Sequence, residues 1–217
     1  MSTPLPRLHA ITNSDILALS DLTERATVIG RSPDVALHAR APGVPGRMLV
    51  EFAEVLLRAT SVGGARLFVN DRVDVALLAG AEGVHLPAGG LPIPKVRALV
   101  GPDRWIGRST HSPAEAQRAA DEGADYVFLG PIWETPSHPG QGQGRERGRG
   151  RTRPGIGVTA IGQVRAVRII AIGGITPDRV AHCLDAGAYG VAAITSLWRA
   201  PDPGSAAAEM LLLLKNT

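Results

Sequence analysis

The sequence predicts a single α/β domain that folds as a (βα)8 barrel, and three observations lead to this prediction. Apolar segments of strand length alternate with helical patterns along almost the whole chain, which is the order of elements in a parallel α/β fold. Helix starts are marked by a capping residue followed by proline, as in Ser112-Pro113 and Thr176-Pro177. Near copies of one glycine-containing turn, 122–126 and 185–189, follow two of the helices, and glycine there turns the chain back into the sheet.

Strands and helices are predicted in alternation along the chain. The predicted strands are 8–12, 35–40, 66–70, 83–86, 105–109, 126–130, 169–173 and 189–194. The predicted helices are 16–29, 51–58, 73–78, 94–99, 114–121, 159–167, 177–185 and 205–214. A barrel of this kind closes as one unit at this chain length, so residues 1–217 are expected to form one domain. An open doubly wound sheet is the alternative, but no glycine fingerprint of a dinucleotide site follows the first strand.

Composition limits the function classes that the chain can serve. Of its 217 residues 44% are apolar and 4% aromatic, so a large core of Val, Leu, Ile and Ala is expected. The single cysteine, Cys183, excludes an internal disulfide framework and a multi-cysteine metal site. We find no charged-plus-apolar leader and no apolar run of membrane-spanning length, so a cytoplasmic protein without a membrane partner is expected.

The basic character of the chain is confined to one segment. The formal net charge is +3, and five arginines stand at alternate positions from 145 to 153 in a glycine-rich stretch. No helix-turn-helix or zinc pattern accompanies them, so no nucleic-acid partner is expected. Residues 131–157 show no periodicity and are expected to form a mobile Gly/Arg-rich loop after the sixth strand. That loop is either a lid over the site or a neutral insertion.

Polar side chains gather where the predicted strands end. In a parallel barrel the carboxyl ends of the strands form the ligand site. The groups at these ends are His38, Arg40, Asn70, Asp71, His85, Ser109, Thr110 and His111, and the loop after the sixth strand adds Glu134, Thr135 and His138. The sequence therefore predicts a polar site for a small molecule, which indicates an enzyme.

Two glycines, Gly173 and Gly174, follow the seventh strand directly before a helix start, and Thr195 and Ser196 follow the eighth strand. Main-chain N–H groups of such turns bind phosphate in barrels of this class, because glycine lets the oxygens approach the chain closely. A tight turn with a helix cap is the alternative interpretation. These four residues are predicted to bind phosphate.

Several of the candidate residues also have a purely structural interpretation. Arg40 is suited to hold a carboxylate or a phosphate, or it forms a surface ion pair. His85 is either a site residue or a core histidine. Asp71 beside Asn70 is able to bind Mg²⁺ together with substrate phosphates, or it caps the helix that follows.

Six motifs occur at a spacing that is found in one enzyme superfamily. They are LHAITN at 8–13, VNDRVD at 69–74, GVHL at 83–86, IGRSTHS at 106–112, GADY at 123–126 and AIGGI at 171–175. With these motifs the chain resembles the thiamine phosphate synthase / thiazole tautomerase superfamily over nearly its whole length. The resemblance implies a thiamine phosphate synthase-like TIM barrel and a ligand that carries the thiazole phosphate of vitamin B1 biosynthesis.

Departures from the synthase pattern favour the tautomerase branch. The resemblance implies a glutamine, an arginine and a lysine at the second strand, where this chain has His38, Arg40 and Pro42. It implies a second magnesium-binding aspartate after the fourth strand, where the chain reads PAGG at 87–90. His138 stands in place of a loop lysine. Losing two lysines and a carboxylate weakens the grip on pyrophosphate and Mg²⁺.

The tautomerase branch resembles the chain at HAR (38–40), LPAG (86–89), GRS (107–109) and Glu134-Thr135. Its reaction, as the resemblance implies, is a proton shift that needs a general acid/base and no metal. Because Pro131 stands where some tautomerases carry a histidine, the proton would be moved by His38, His111 or His138.

Three functional hypotheses follow, and the first is preferred. It is a metal-independent thiazole tautomerase that acts on thiazole carboxylate phosphate without a cofactor. Its substrate-binding residues would be Arg40, Asn70, Asp71, Ser109 and Glu134. The second is a thiamine phosphate synthase, which would use Mg²⁺ to join hydroxymethylpyrimidine pyrophosphate to thiazole phosphate. The third is a non-catalytic binding or regulatory protein. A small-molecule thiazole phosphate is the expected partner, and assembly as a homodimer is left open.

Overall fold

Eight parallel strands close into a barrel, which confirms the predicted fold class. The structure, a computed structural model, describes residues 4–136 and 152–215. The barrel strands are β1 Leu8–Ile11, β2 Val35–Ala39, β3 Arg66–Asn70, β4 Gly83–Leu86, β5 Trp105–Thr110, β6 Tyr126–Leu129, β9 Arg168–Ile172 and β10 Gly190–Ala193. Between β6 and β9, the two-residue strands β7 Thr135–Pro136 and β8 Thr152–Arg153 form a separate antiparallel pair. Strand β1 pairs with both β2 and β10, so the sheet is closed and an open doubly wound sheet is excluded.

Helices cover the outside of the barrel. They are α1 Ser14–Leu17, α2 Leu22–Ile29, α3 Gly46–Gly63, α4 Val73–Leu78, α5 Ile93–Val100, α6 Pro113–Asp121, α7 Pro177–Asp185, α8 Thr195–Trp198 and α9 Pro203–Lys215, with a 3-10 helix at Val158–Gln163. None of the helices within the described ranges is long and apolar enough to cross a membrane.

Two predicted helices differ from the observed ones for identifiable reasons. The predicted helix 16–29 is divided in two, because Ser20 and Asp21 occupy a turn between α1 and α2, and short polar side chains compete with helical hydrogen bonding. Asn13 caps α1 by accepting from the Ile16 N–H at 2.9 Å. The predicted helix 159–167 is only a 3-10 helix, Val158–Gln163, and Gly162 within it weakens any longer helix.

Helix α3 is longer than the predicted 51–58 because its apolar face continues at both ends. Leu49, Phe52, Leu56 and Ala59 are buried along it, at the spacing of one helical face. The helix ends at Gly64, whose φ of 81° is left-handed and favours glycine.

The barrel has two different cores, and only one matches the composition-based expectation. The layer between sheet and helices consists of Val, Leu, Ile and Ala with few larger residues. The space inside the barrel is instead filled by rings, a departure from the expected aliphatic core. The interior rings are His9, His38, Phe68, His85, Tyr126 and Phe128. Three of these rings are aromatic residues of the Phe, Trp and Tyr class, and the other three are histidines.

Two strand glycines make room for these rings. Gly83 lies opposite Phe68 in the β3–β4 register, and a Cβ there would come within 2.2 Å of the Phe68 ring. Gly107 lies opposite Tyr126 in the β5–β6 register, and a Cβ there would come within 2.2 Å of the Tyr126 ring. Small and large residues therefore face each other in pairs, as close packing of a barrel interior requires.

Candidate active site

A cavity of about 480 Å³ opens at the carboxyl ends of the barrel strands. This is where ligands bind in parallel barrels. The polar and charged residues on its wall are Arg40, Asn70, Asp71, Arg72, His85, Ser109, Thr110, His111 and Thr135, and apolar residues include Ile11, Phe128, Ile172 and Ile194. Five of the predicted catalytic and substrate-binding residues, Arg40, Asn70, Asp71, Ser109 and His111, are thereby brought together around one volume.

Arg40 extends from the end of β2 into this cavity, and its backbone is held by Thr12. The Thr12 hydroxyl lies 2.7 Å from the His38 carbonyl oxygen and accepts from the Arg40 N–H at 2.9 Å. The guanidinium is half-buried, and burial lowers the pKa of Arg40. Within residues 4–136 and 152–215 it has no carboxylate partner, so the predicted alternative of a surface ion pair does not apply. A cation held in this way is suited to receive an anion.

Asn70 and Asp71 stand at the end of β3. The Asp71 N–H donates to the His85 carbonyl oxygen at 2.9 Å, which ties the ends of β3 and β4 together. Asp71 has φ 67°, a left-handed conformation that is uncommon outside glycine. Its carboxylate is exposed, and the first turn of α4 has no side-chain cap, so the structure does not assign Asp71 a capping role. Among the described residues it is the one carboxylate on the cavity wall.

His38 does not reach the cavity wall, although it was predicted to move a proton there. It is fully buried inside the barrel, below Asn70. Both ring nitrogens are occupied: Nδ1 lies 2.8 Å from the Asn70 carboxamide and Nε2 lies 2.8 Å from His9 Nδ1. Burial lowers the pKa of His38 to about 3. The physical reason is depth along the strand: His38 and Arg40 face the same side of the sheet, but His38 lies two residues earlier and so stands below the cavity that Arg40 lines.

His85 links the cavity to the barrel interior. Its Nε2 lies 2.9 Å from Ser109 Oγ, and its Nδ1 lies 3.2 Å from the Tyr126 hydroxyl. Burial, followed by the nearby His38 and His9, lowers the pKa of His85 well below its usual range. Burial raises the pKa of Tyr126 well above its usual range, so the phenol keeps its proton at neutral pH. The His85 ring also stacks on Phe128, with centroids 3.8 Å apart. His85 thus contributes both to the core and to the cavity wall.

His111 lies at the exposed rim of the cavity. Its Nδ1 lies 2.7 Å from the Gly130 carbonyl oxygen and donates to it, because a carbonyl only accepts. In the neutral ring Nε2 is therefore an acceptor. The main chain at this point is fixed by Glu115, whose carboxylate accepts from the His111 N–H at 2.7 Å. Of the three predicted proton-transfer residues, His111 is the one that the described structure places on the wall.

The remaining predicted site residues are distributed unequally around the cavity. Gly173 and Ile194 line the cavity. Gly174, which follows Gly173, and Thr195 and Ser196, which follow Ile194, do not line it. The Ser196 hydroxyl donates to the Ile175 carbonyl oxygen at 2.7 Å, so the turns after β9 and β10 touch. Glu134 is exposed and off the wall, while its neighbour Thr135 is on it. His138 and the rest of residues 137–151 of the predicted loop lie outside the described residues, while Arg153 belongs to β8.

Sequence reasoning missed two residues that shape this site, His9 and Tyr126. His9 is buried and contacts His38, while Tyr126 supports His85 from below. Both lie within strands that otherwise read as apolar. A polar ring in such a strand was the available signal, because a buried polar group requires a partner.

Comparison with known proteins decides the family. The family model described as thiamine monophosphate synthase matches residues 8–197, which includes every barrel strand and the cavity. The chain belongs to the thiamine monophosphate synthase family. The resemblance inferred from the sequence motifs is thereby confirmed, and the protein is an enzyme of thiamine biosynthesis by its relatives.

Relatives in this family are named synthases. The chain is 41% identical over 174 residues to the thiamine-phosphate synthase of Roseiflexus castenholzii, covering 79% of this chain and 72% of the relative. It is 38% identical over 206 residues to the thiamine-phosphate synthase of Methanoculleus marisnigri, covering 94% and 92%. The structure of thiamine phosphate pyrophosphorylase from Pyrococcus furiosus superimposes with a TM-score of 0.76 at 26% identity, covering 97% of this chain and 96% of that one. The tautomerase branch preferred from the sequence gains no specific support from these thiamine monophosphate synthase relatives.

Proposed function

We propose that this chain is a thiamine phosphate synthase. In that reaction the ring nitrogen of thiazole phosphate bonds to the exocyclic methylene of hydroxymethylpyrimidine pyrophosphate. The methylene–oxygen bond breaks, and pyrophosphate leaves with the electron pair. The names of relatives 38% and 41% identical to this chain support this reaction over the tautomerase first preferred.

Arg40 is the observation that carries the proposal. Departure of pyrophosphate increases negative charge on the leaving oxygen, and a positioned cation stabilises that charge most where water is excluded. The Arg40 guanidinium is half-buried on the cavity wall, and no carboxylate of the described residues neutralises it. Its role would be to hold the pyrophosphate and to stabilise the charge as the methylene–oxygen bond breaks.

Magnesium fits this cavity only together with a substrate. No group of three or more His, Cys, Asp or Glu side chains within the described ranges is arranged to hold a metal ion by itself. Asp71 offers one exposed carboxylate on the wall, and Mg²⁺ is commonly bound by one or two carboxylates plus substrate phosphates. Asp71 would therefore hold the ion, and the ion would neutralise pyrophosphate charge.

The turn at Gly173 and Gly174 is suited to the phosphate of the thiazole substrate. Both glycines have left-handed φ values, 95° and 67°. In the part of the chain that the structure describes, the Gly174 N–H has no hydrogen-bond acceptor. A free main-chain donor in a glycine turn is the usual component of a phosphate cup in barrels of this type. Thr195 and Ser196, in the touching turn after β10, remain predicted phosphate ligands.

Thiamine phosphate formation tests the proposal directly. Purified protein is incubated with hydroxymethylpyrimidine pyrophosphate, thiazole phosphate and Mg²⁺, and thiamine phosphate is quantified by its fluorescent oxidation product. We expect turnover that disappears with EDTA and falls at least about 100-fold in Asp71→Asn or Arg40→Gln. The first removes the proposed magnesium ligand, and the second removes the cation that would contact the leaving group. Absence of product at substrate saturation would remove the synthase from consideration.

A thiazole tautomerase is the second candidate, and His111 is the observation that favours it. Its Nδ1 is committed to the Gly130 carbonyl, so Nε2 is available as a proton acceptor on the cavity rim. The same protein is assayed with the thiazole carboxylate phosphate tautomer in EDTA. Conversion that is lost in His111→Gln would select the tautomerase. Tight thiazole phosphate binding with no turnover in either assay would select a non-catalytic binding protein.

A further inference from the structure

A chain of hydrogen bonds runs through the barrel interior from its amino-terminal end to the cavity. His9 Nε2 lies 3.0 Å from the Pro6 carbonyl oxygen. His9 Nδ1 lies 2.8 Å from His38 Nε2, and His38 Nδ1 lies 2.8 Å from the Asn70 carboxamide. Asn70 lines the cavity, so the chain connects a main-chain carbonyl at one end of the barrel with a ligand-facing side chain at the other.

The Pro6 carbonyl determines the direction of every bond in this chain. A carbonyl oxygen only accepts, so His9 must donate to it through Nε2–H. A neutral imidazole carries one N–H, so His9 Nδ1 accepts and His38 donates through Nε2–H. His38 Nδ1 is then also an acceptor, and Asn70 has to donate to it. The two ends of an amide, Oδ1 and Nδ2, are nearly isosteric, and the hydrogen-bond network decides which is which. The end of Asn70 that lies 2.8 Å from His38 Nδ1 is therefore assigned as its nitrogen.

The interior of the barrel keeps both imidazoles neutral. His9 is fully buried against the rings of Phe68, Tyr126 and Phe128. None of the ion pairs among the described residues involves either histidine. Burial lowers the pKa of His9 well below its usual range and that of His38 to about 3. The opposite amide orientation would need an imidazolium in this apolar space, or would leave the Pro6 carbonyl facing a lone pair.

We propose that the Pro6–His9–His38 chain fixes the Asn70 carboxamide with its oxygen toward the cavity, so that this point of the site takes a hydrogen-bond donor or a cation and not a phosphate oxygen. The cavity-side end of the Asn70 amide has no hydrogen-bond partner among the described residues and is free to meet a ligand. Asn70 is then a binding residue with an imposed polarity, and His9 and His38 are positioning residues. The inference adds detail to the proposed function. It rests on that function only in the choice of pyrophosphate as the probe.

Imidazole tautomers test the proposal without any variant of the chain. Long-range proton–nitrogen correlation spectra of the ¹⁵N-labelled protein at neutral pH distinguish the Nε2–H tautomer, the Nδ1–H tautomer and the imidazolium. Nuclear Overhauser effects to the interior rings assign His9 and His38. We expect both to be neutral Nε2–H tautomers. An Nδ1–H tautomer or an imidazolium at either residue would overturn the proposal, whatever the enzymatic activity.

Affinity for inorganic pyrophosphate, measured by calorimetry in EDTA, tests the polarity of Asn70. An outward oxygen repels the anion, so Asn70→Ala is expected to bind pyrophosphate at least as tightly as the unaltered protein. His38→Gln lets the amide turn its nitrogen outward, and affinity is expected to rise by about tenfold. Asn13→Ala, which removes an asparagine outside the cavity, is expected to leave the affinity for pyrophosphate unchanged. A weaker Asn70→Ala variant would mean that the nitrogen faces the anion, and the proposal would be wrong.

Adding Mg²⁺ to the same titration identifies what the oxygen contacts. If the unaltered protein now binds pyrophosphate more tightly than Asn70→Ala, the oxygen contacts the cation. If the order of the two affinities is unchanged, the Asn70 oxygen instead accepts a hydrogen bond from a donor group of the organic substrate. Failure of pyrophosphate to bind in any form would count against the synthase, while the tautomer spectra would still decide the orientation of Asn70.

Discussion

The proposed binding role of Arg40 implies a cost in stability at this one residue. A half-buried guanidinium without a carboxylate partner loses hydration, and no ion pair compensates for that loss in the free protein. Arg47, at the start of α3, provides the contrast, since its side chain is 86% exposed and any interaction there is weak.

Replacing Arg40 by glutamine is expected to weaken thiazole phosphate or pyrophosphate binding by about 10- to 100-fold, the range for a hydrogen bond to a charged group. Thermal unfolding of the free protein is expected to be unchanged or shifted upward, because an unpaired buried charge is removed. Calorimetry and a thermal melt measure the two effects. Arg47→Gln is the matched control and should alter neither. A large fall in melting temperature for Arg40→Gln would instead mark Arg40 as a structural residue.

The buried imidazoles make stability depend on pH. His9, His38 and His85 all have pKa values lowered by burial, that of His38 to about 3. Above pH about 6.5 they are neutral in both the folded and the unfolded chain. Below it the unfolded chain binds protons that the folded chain does not. The free energy of unfolding therefore falls as the pH falls from about 6.5 toward 3, by up to about 1.4 kcal/mol per pH unit for each histidine.

Urea unfolding between pH 7 and pH 5 measures this dependence. His38→Gln removes one of the three groups, so its stability should fall less steeply with acid, by about 1.4 kcal/mol per pH unit at most. Equal slopes for the two proteins over this range would show that folding does not lower the pKa of His38.

Among the elements, the turn after β9 both lines the cavity and packs against the segment after β6. Gly173 has φ 95°, and a Cβ there would meet Pro131 Cβ at 2.5 Å and Pro131 Cα at 2.6 Å. The turn therefore combines a backbone conformation that suits glycine with direct packing against the segment after β6. Gly187, between α7 and β10, has φ 97° but open space around its Cβ position.

This pair of glycines separates backbone strain from steric contact. Gly187→Ala should destabilise the protein by about 1 kcal/mol, the strain of a left-handed alanine. Gly173→Ala should destabilise it by about 3 kcal/mol or more, because Pro131 must also move, and should weaken phosphate binding. Chemical denaturation of both variants measures the difference. Equal losses in the free energy of unfolding would show that the segment at Pro131 moves at little energetic cost.

The strands could be predicted because each is a short apolar run bounded by turn residues, and the eight barrel strands agree with the prediction within one residue at each end. The helices were less predictable. Nothing in 16–29 distinguished a continuous helix from two helices around Ser20 and Asp21, since the apolar residues keep a helical spacing across the break. Tertiary packing decided the outcome there.

At the scale of the whole molecule, the sequence located the cavity but not its interior support. Residues such as Arg40, Asn70, Asp71 and Ser109 follow strand ends, and closure of a parallel barrel brings strand ends together. The depth of His38 and the contact with His9 depend on which strand residues point inward and on the size of their neighbours. The depth and the contacts of these side chains depend on the tertiary structure and cannot be inferred from a single sequence.

Cys183 reports on the integrity of the whole fold. It is the single cysteine of the chain and is fully buried. Burial raises the pKa of its thiol to about 12, and the thiolate is the reactive form. We expect no labelling by a thiol reagent in the native protein at neutral pH and complete labelling in urea, with a midpoint equal to that of unfolding by circular dichroism. Rapid labelling of the native protein would reveal local opening around α7.

The facing of Gly83 with Phe68 and of Gly107 with Tyr126 has a consequence for redesign and for divergence. Each pair shares a fixed volume inside the barrel, so neither partner is free to grow alone. A methyl group at position 107 would meet both the Tyr126 ring and His85 Nδ1, the latter at 2.5 Å, and Tyr126 also supports His85. Ring size at the base of the barrel is therefore coupled to the polar wall of the cavity, and a change of substrate preference could begin with exchanges at positions that do not line the cavity.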